Sequence, residues 1–122
     1  MLIERRKYPR IHFNLPIKIS YGSFDSVTET KNISGSGAYC AVDEDIEPMT
    51  KMSVILLVPM VKGGRKLLKR INCTGVVVRK EKVRENGRRA YNIGIYFSDL
   101  KKTDRKVLLS YIDSAHKNSP HI

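Results

Sequence analysis

The sequence predicts a mainly β domain, a small six-stranded antiparallel barrel completed by one C-terminal α-helix. Three observations carry that expectation. About six runs show strand patterning, turn signals separate them at short intervals, and a single amphipathic stretch follows them with no helix interleaved before it. Closing such strands on themselves removes open sheet edges.

The first strand is read over residues 11–21, where Phe13, Leu15, Ile17, Ile19 and Tyr21 share one face and His12, Asn14, Lys18 and Ser20 the other. Pro16 has no N–H for a ladder, which suggests an edge or a bulge. Tyr21-Gly22-Ser23 then reads as a turn. Residues 24–33 form a more polar strand, Gly35 and Gly37 mark a bend, and residues 37–42 continue as the next strand. The acidic run Asp43-Glu44-Asp45-Ile46-Glu47-Pro48 reads as a solvated loop, since it lacks the glycine and terminal glutamate of a calcium loop.

Residues 52–61 are a nearly continuous apolar run ending at Lys62-Gly63-Gly64-Arg65, which has the glycine content of a hairpin turn. In residues 67–79, Ile71, Cys73, Gly75 and Val77 fall on one face. The charged stretch 79–89 carries Asn86-Gly87, a strong hairpin signal, and Tyr91, Ile93, Ile95 and Phe97 alternate as the last strand. From residue 99 to 117, Val107, Leu108, Tyr111, Ile112 and Ala115 make one helical stripe, with Thr103 or Ser98 as candidate caps. That stripe is expected to pack on its own domain, across one mouth of the barrel; docking a partner is the alternative.

A chain of 122 residues with 41% hydrophobic and 29% charged content fits one globular domain with its own core. No apolar run approaches the roughly 20 residues of a membrane span, and Met1-Leu2-Ile3-Glu4-Arg5 lacks a signal-peptide core, so a cytoplasmic location is expected. With 23 Lys and Arg against 12 Asp and Glu, the net charge of +11 implies anionic partners without choosing among them. Cys40 and Cys73 match no metal spacing and read as buried small apolar residues, and His12, His116 and His121 do not cluster. No nucleophile–base pair and no phosphate-binding loop is recognisable, so no enzyme activity and no cofactor or metal is expected.

Two stretches carry the functional signal. Arg5-Arg6-Lys7-Tyr8-Pro9-Arg10 holds guanidiniums in a segment that Pro9 keeps from regular helix. Each guanidinium fits two phosphate oxygens or the O6/N7 edge of guanine. In Asn32-Ile33-Ser34-Gly35-Ser36-Gly37, Asn32 and Ser34 lie two apart on one strand face. An amide oxygen there can accept from guanine N1–H or N2–H, a hydroxyl can donate or accept, and glycine admits close backbone approach.

The ordered pair R-x-x-x-R and [D/N]-x-S-x-x-G, matched by Arg6/Arg10 and by Asn32, Ser34 and Gly37, resembles the PilZ domain family, with Gly94-Ile95-Tyr96-Phe97 similar to its last-strand ending. The resemblance implies a six-stranded PilZ-type β-barrel with a C-terminal helix and a bacterial second-messenger receptor that binds cyclic di-GMP. It assigns ligand contacts to Arg5, Arg6, Arg10, Asn32, Ser34 and Gly37. Arg79, at a strand end, is a weaker candidate, with a solvated strand-end charge as the equal alternative. Arg5 extends the first motif, so single and paired ligand molecules are both implied. Asn32 stands where aspartate is commoner.

The organisation that follows is a single domain over 1–117, comprising an arginine loop (1–10), the barrel (11–98) and the helix (99–117), with 118–122 as a flexible tail. The expected function is a sensor or adaptor that orders its N-terminal loop on cyclic di-GMP and signals to an effector protein. Two alternatives stand beside it: a small basic barrel binding nucleic acid, disfavoured by 7% aromatics and no tryptophan, and a ligand-independent interaction scaffold.

Overall fold

Alternation along the sequence becomes alternation of burial in the computed structural model, which describes residues 14–118. In chain order the elements are β1 (Pro16–Tyr21), β2 (Phe24–Ile33), β3 (Gly37–Val42), β4 (Lys51–Lys62), β5 (Arg65–Glu85), β6 (Arg88–Phe97) and α1 (Lys102–Asn118). All pairings are antiparallel. The order β1-β2-β3-β6-β5-β4 returns to its start because Ile17–Ser20 of β1 also pair with Leu56–Ser53 of β4, so each strand has two neighbours.

The inward faces meet in one core. Leu15, Ile17 and Ile19 join Ala38, Cys40 and Val42 from β3, Met52, Val54, Leu56 and Val58 from β4, and Ile93, Ile95 and Phe97 from β6, all buried. Each large aliphatic or aromatic side chain removed from water contributes about 1.5–3 kcal/mol, so this cluster dominates the stability of the sheet. Leu108 and Ile112 of α1 enter the same core, and Val107, Tyr111 and Ala115 pack beside it. The helical stripe therefore lies on its own sheet.

Both predicted hairpin turns form. Gly63-Gly64 and Asn86-Gly87 have positive φ at both central residues (58° and 77°, 52° and 78°), the condition for the two-residue turn that matches strand twist. Several bounds differ from expectation. The strand expected to end at residue 79 runs on to Glu85, because paired strands on both sides of the Asn86-Gly87 turn carry the ladder through the charged stretch. Pro16 is neither on an edge strand nor at a bulge; it is the first residue of β1, one position before pairing with β4 begins at Ile17, where its missing N–H is harmless.

The acidic run is more than a solvated loop. Ile46 is fully buried, while Asp45 and Glu47 hold the Lys80 ammonium at 2.5 and 3.5 Å. The hydrogen bond that Lys80 donates to Asp45 raises the Lys80 pKa, with Glu47 adding to it.

The helix starts at Lys102 rather than residue 99. Neither proposed cap serves it: Thr103 lies inside the first turn, and Ser98 Oγ donates to the Thr74 carbonyl at 3.3 Å. Asp99 instead ties β5, accepting from the Thr74 N–H at 2.5 Å and its hydroxyl at 3.0 Å, which lowers its pKa. Asn118 belongs to α1, not to the tail, and residues 119–122 lie outside the described region, as do His12 and Phe13.

Candidate ligand-binding site

Two β-bulges build the outward face on which the second motif lies. In β2 the register passes from Thr30↔Cys40 to Asn32↔Tyr39, leaving Lys31 as the extra residue. In β5 it passes from Val77↔Ile95 to Arg79↔Gly94, leaving Val78 extra. A bulge puts two residues opposite one and re-aims the side chain that follows. Thr30 and Val77 face the core, and two positions later Asn32 and Arg79 face outward. In a strand of the same length without a bulge, residues two apart share a face, and strict alternation from Thr30 and Val77 would turn both inward.

Between β2 and β3 the chain reverses in a tight turn. Ser34 N–H donates to the Gly37 carbonyl at 2.9 Å, and the Ser36 N–H donates to Ser34 Oγ at 3.3 Å. Ser34 Oγ also lies 3.3 Å from Ser36 Oγ and 3.4 Å from the Gly37 carbonyl oxygen. Phe97 N–H then donates to the Ser36 carbonyl at 2.9 Å, fastening the turn to β6. Gly37 is required by that packing: a Cβ there would sit 2.2 Å from the Ile95 carbonyl oxygen. From the opposite side, Arg105 Nε of α1 donates to the Gly35 carbonyl at 3.1 Å. The turn is thus held by the last strand and by the helix.

Beside the turn is a hollow of about 120 Å³, to which Ser34, Ser36, Gly37, Tyr39, Arg79 and Tyr96 contribute. Gly94 forms part of its lining; a Cβ on it would lie 3.3 Å from Arg79 Cβ and 3.8 Å from Tyr39 Cδ1, so its lack of a side chain leaves the space between them open. Asn32, paired with Tyr39, is only 8% exposed, and its Oδ1 has no hydrogen-bond partner among the described residues. Asn92 on the outward face of β6 is in the same condition. A buried acceptor left without a donor costs about 1–3 kcal/mol, so each amide oxygen is prepared to accept.

The structure therefore brings Ser34, Gly37 and the secondary candidate Arg79 to one hollow, with Asn32 on the strand next to it. Arg5, Arg6 and Arg10 lie outside the described residues. Sequence reasoning missed Tyr39, Tyr96 and Asn92. For Asn92 and Tyr96 the signal is in the sequence: with Gly94 they form the outward phase of the strand whose inward phase is Tyr91, Ile93, Ile95 and Phe97.

Cys40 lies under the site on the core face, and burial pushes its thiol up to about 12; Cys73 is likewise raised to about 12, by burial and then by Asp99 and Asp104. Both are free cysteines. Among the described residues no group of three His, Cys, Asp or Glu is arranged to hold a metal ion, and no helix is long and apolar enough to cross a membrane.

Six antiparallel strands with one C-terminal helix define the class of fold. The PilZ domain profile matches residues 4–114, and the chain belongs to the PilZ domain family. No curated protein sequence matches it. Among solved structures, the chain is similar to the Bacillus subtilis inhibitor of motility (MotI/DgrA), at TM-score 0.80 and 20% identity over 97% of this chain and 54% of that one. It is also similar to the PilZ domain of Escherichia coli YcgR with c-di-GMP, at TM-score 0.63 and 11% identity over 93% of this chain and 94% of that one. The K. pneumonia MrkH–c-di-GMP complex matches at TM-score 0.60 and 16% identity, over 97% of this chain and 57% of that one. The chain thus spans little more than half of MotI and MrkH.

Proposed function

We propose that this chain is a non-catalytic cyclic di-GMP receptor whose strands close as a PilZ-type barrel within a single domain over residues 1–117. The observation that carries the reading is the buried Asn32 Oδ1, an acceptor without a partner among the described residues, next to the hollow formed by Ser34, Gly37 and Arg79. Guanine presents N1–H and N2–H on one edge, which is the donor set such an oxygen needs. The choice of ligand is supported by family membership and by the cyclic di-GMP complexes of YcgR and MrkH.

In this proposal Arg6 and Arg10 pair with phosphate oxygens and the guanine O6/N7 edge, Arg5 stacks on a base, and Asn32 and Ser34 select the purine edge. Arg79 offers a further guanidinium, and Tyr39 a ring for stacking. A hollow of about 120 Å³ takes only one edge of a dinucleotide, so the N-terminal arginines supply the opposing contacts. Neutralising their charge draws residues 1–10 against the β2–β3 turn. The Arg105 hydrogen bond to Gly35 links that turn to α1, giving the bound state a route to an effector protein.

Isothermal titration at physiological salt with cyclic di-GMP, linear pGpG, GTP and a single-stranded oligonucleotide tests the proposal. Selective, saturable binding of the cyclic dinucleotide is expected, with its stoichiometry giving one or two ligands. A folded Arg10→Ala protein should bind at least ~tenfold more weakly, since charge-assisted hydrogen bonds are worth about 1.5–3 kcal/mol. Equal, salt-sensitive binding of every anion would overturn the reading in favour of a basic nucleic-acid surface. No binding at all would leave a ligand-independent scaffold.

A further inference from the structure

The β4–β5 hairpin outgrows the sheet. Among the described residues, β4 has no pairing with β1 beyond Leu56 and β5 meets β6 only from Gly75 onward, so residues 57–62 and 65–70 pair there only with each other. An isolated two-stranded ribbon is marginal in water, and this one is apolar on both faces. Pro59↔Leu68 and Met60↔Leu67 are adjacent pairs and so point to opposite sides. Val61, Leu68 and Leu67 are 68%, 66% and 45% exposed.

Between this ribbon and α1 lies a groove of about 580 Å³, floored by Pro59, Met60, Val61, Val107 and Tyr111. A second hollow of about 310 Å³, reaching Leu67 and Leu68, shares Met60 and Val107 with it. Cations surround the apolar floor: Lys66 and Lys106 line the first hollow, and Lys62 and Lys69 line the second, against the single carboxylate of Asp104. A second copy of the chain would set the same cations against these, which costs energy at an interface. A flat bilayer has no segment to enter a groove. The complement is an extended or helical piece of protein with apolar side chains on one side and carboxylates on the other.

We propose that the groove between the β4–β5 ribbon and α1 docks an acidic amphipathic segment of a partner protein. Its apolar side chains fill the space beside Met60, Val61 and Val107, and its carboxylates meet Lys62, Lys66, Lys69 and Lys106. The surface is separate from the β2–β3 turn and does not depend on the ligand proposed there.

Selection of a displayed random-peptide library on the full chain tests this, followed by fluorescence anisotropy with the most enriched peptide. The expected selection is of peptides combining leucine-like residues with Asp and Glu. Val61→Ser with Leu68→Ser, and separately Lys66→Glu with Lys106→Glu, should each weaken the peptide by ~tenfold or more, as loss of central interface anchors does. All four positions are outside the buried core, and an unchanged melting temperature confirms that the variants are folded. Enrichment of neutral or basic peptides, no enrichment, or binding insensitive to both double variants overturns the proposal. So does ribbon-dependent binding to phosphatidylglycerol vesicles without peptide binding, or a ribbon-dependent dimer in sedimentation.

Discussion

Two opposing costs meet at Asn32. Its amide oxygen is buried without a partner among the described residues, which penalises the unliganded fold, yet the same oxygen is an acceptor ready for a donor. Asn32→Ala should therefore weaken cyclic di-GMP about fivefold or more, from a net hydrogen bond of ~1 kcal/mol, while leaving urea stability unchanged or slightly raised. A purely structural asparagine would give the reverse pattern in the paired titration and unfolding measurements. Arg79→Ala should also cost about tenfold in affinity with little effect on stability, because the side chain is exposed beside the hollow. Gly37 behaves differently. With the Ile95 carbonyl oxygen 2.2 Å from any Cβ, Gly37→Ala should lower unfolding stability by about 3 kcal/mol in urea, irrespective of ligand.

At the level of elements, the β5–α1 junction carries a pH dependence whose sign is fixed. Asp99 is held ionised by the Thr74 N–H and hydroxyl, so its folded pKa lies below the ordinary 3.8. A depressed carboxylate pKa contributes stability that is present above the unfolded value and is lost as pH falls through the folded one. Wild type should unfold at higher urea than Asp99→Asn near neutral pH, and the gap should narrow below about pH 3.8, as paired urea melts would report. Strands and turns were legible in the sequence because period-two burial and paired positive-φ positions are local signals. The bulges were not, since an extra residue appears only as a change of phase: Thr30 and Asn32 are both polar and two apart, yet they face opposite sides. Likewise no local pattern announces that Lys80 meets Asp45, or that Arg105 reaches Gly35, 35 and 70 positions away.

Across the whole molecule, the thiols report how far the interior is sealed. Burial pushes the Cys40 and Cys73 thiols up to about 12 against an ordinary 9.0, so near neutral pH each holds far less thiolate than a free cysteine. Reaction with a thiol reagent at mild pH should be correspondingly slow in the native protein and rapid in urea, which a stopped absorbance assay would show. Isolated cysteines in strand-like runs predict two buried thiols; Cys40 is buried, but Cys73 is half-covered beside Asp99 and Asp104, which only the fold brings to it. The two bulges also give the chain an uncommon tolerance of length change. Removing Lys31 joins Thr30 to Asn32 with their partners Cys40 and Tyr39 already consecutive, and removing Val78 joins Val77 to Arg79 opposite Ile95 and Gly94 in the same way. Either deletion closes the ladder without turning a single core side chain outward, whereas losing one residue elsewhere in β2 or β5 would invert a face. At these positions a strand can lose a residue and keep its interior, giving up the local bend around the hollow and, at Lys31, the ion pair with Glu85.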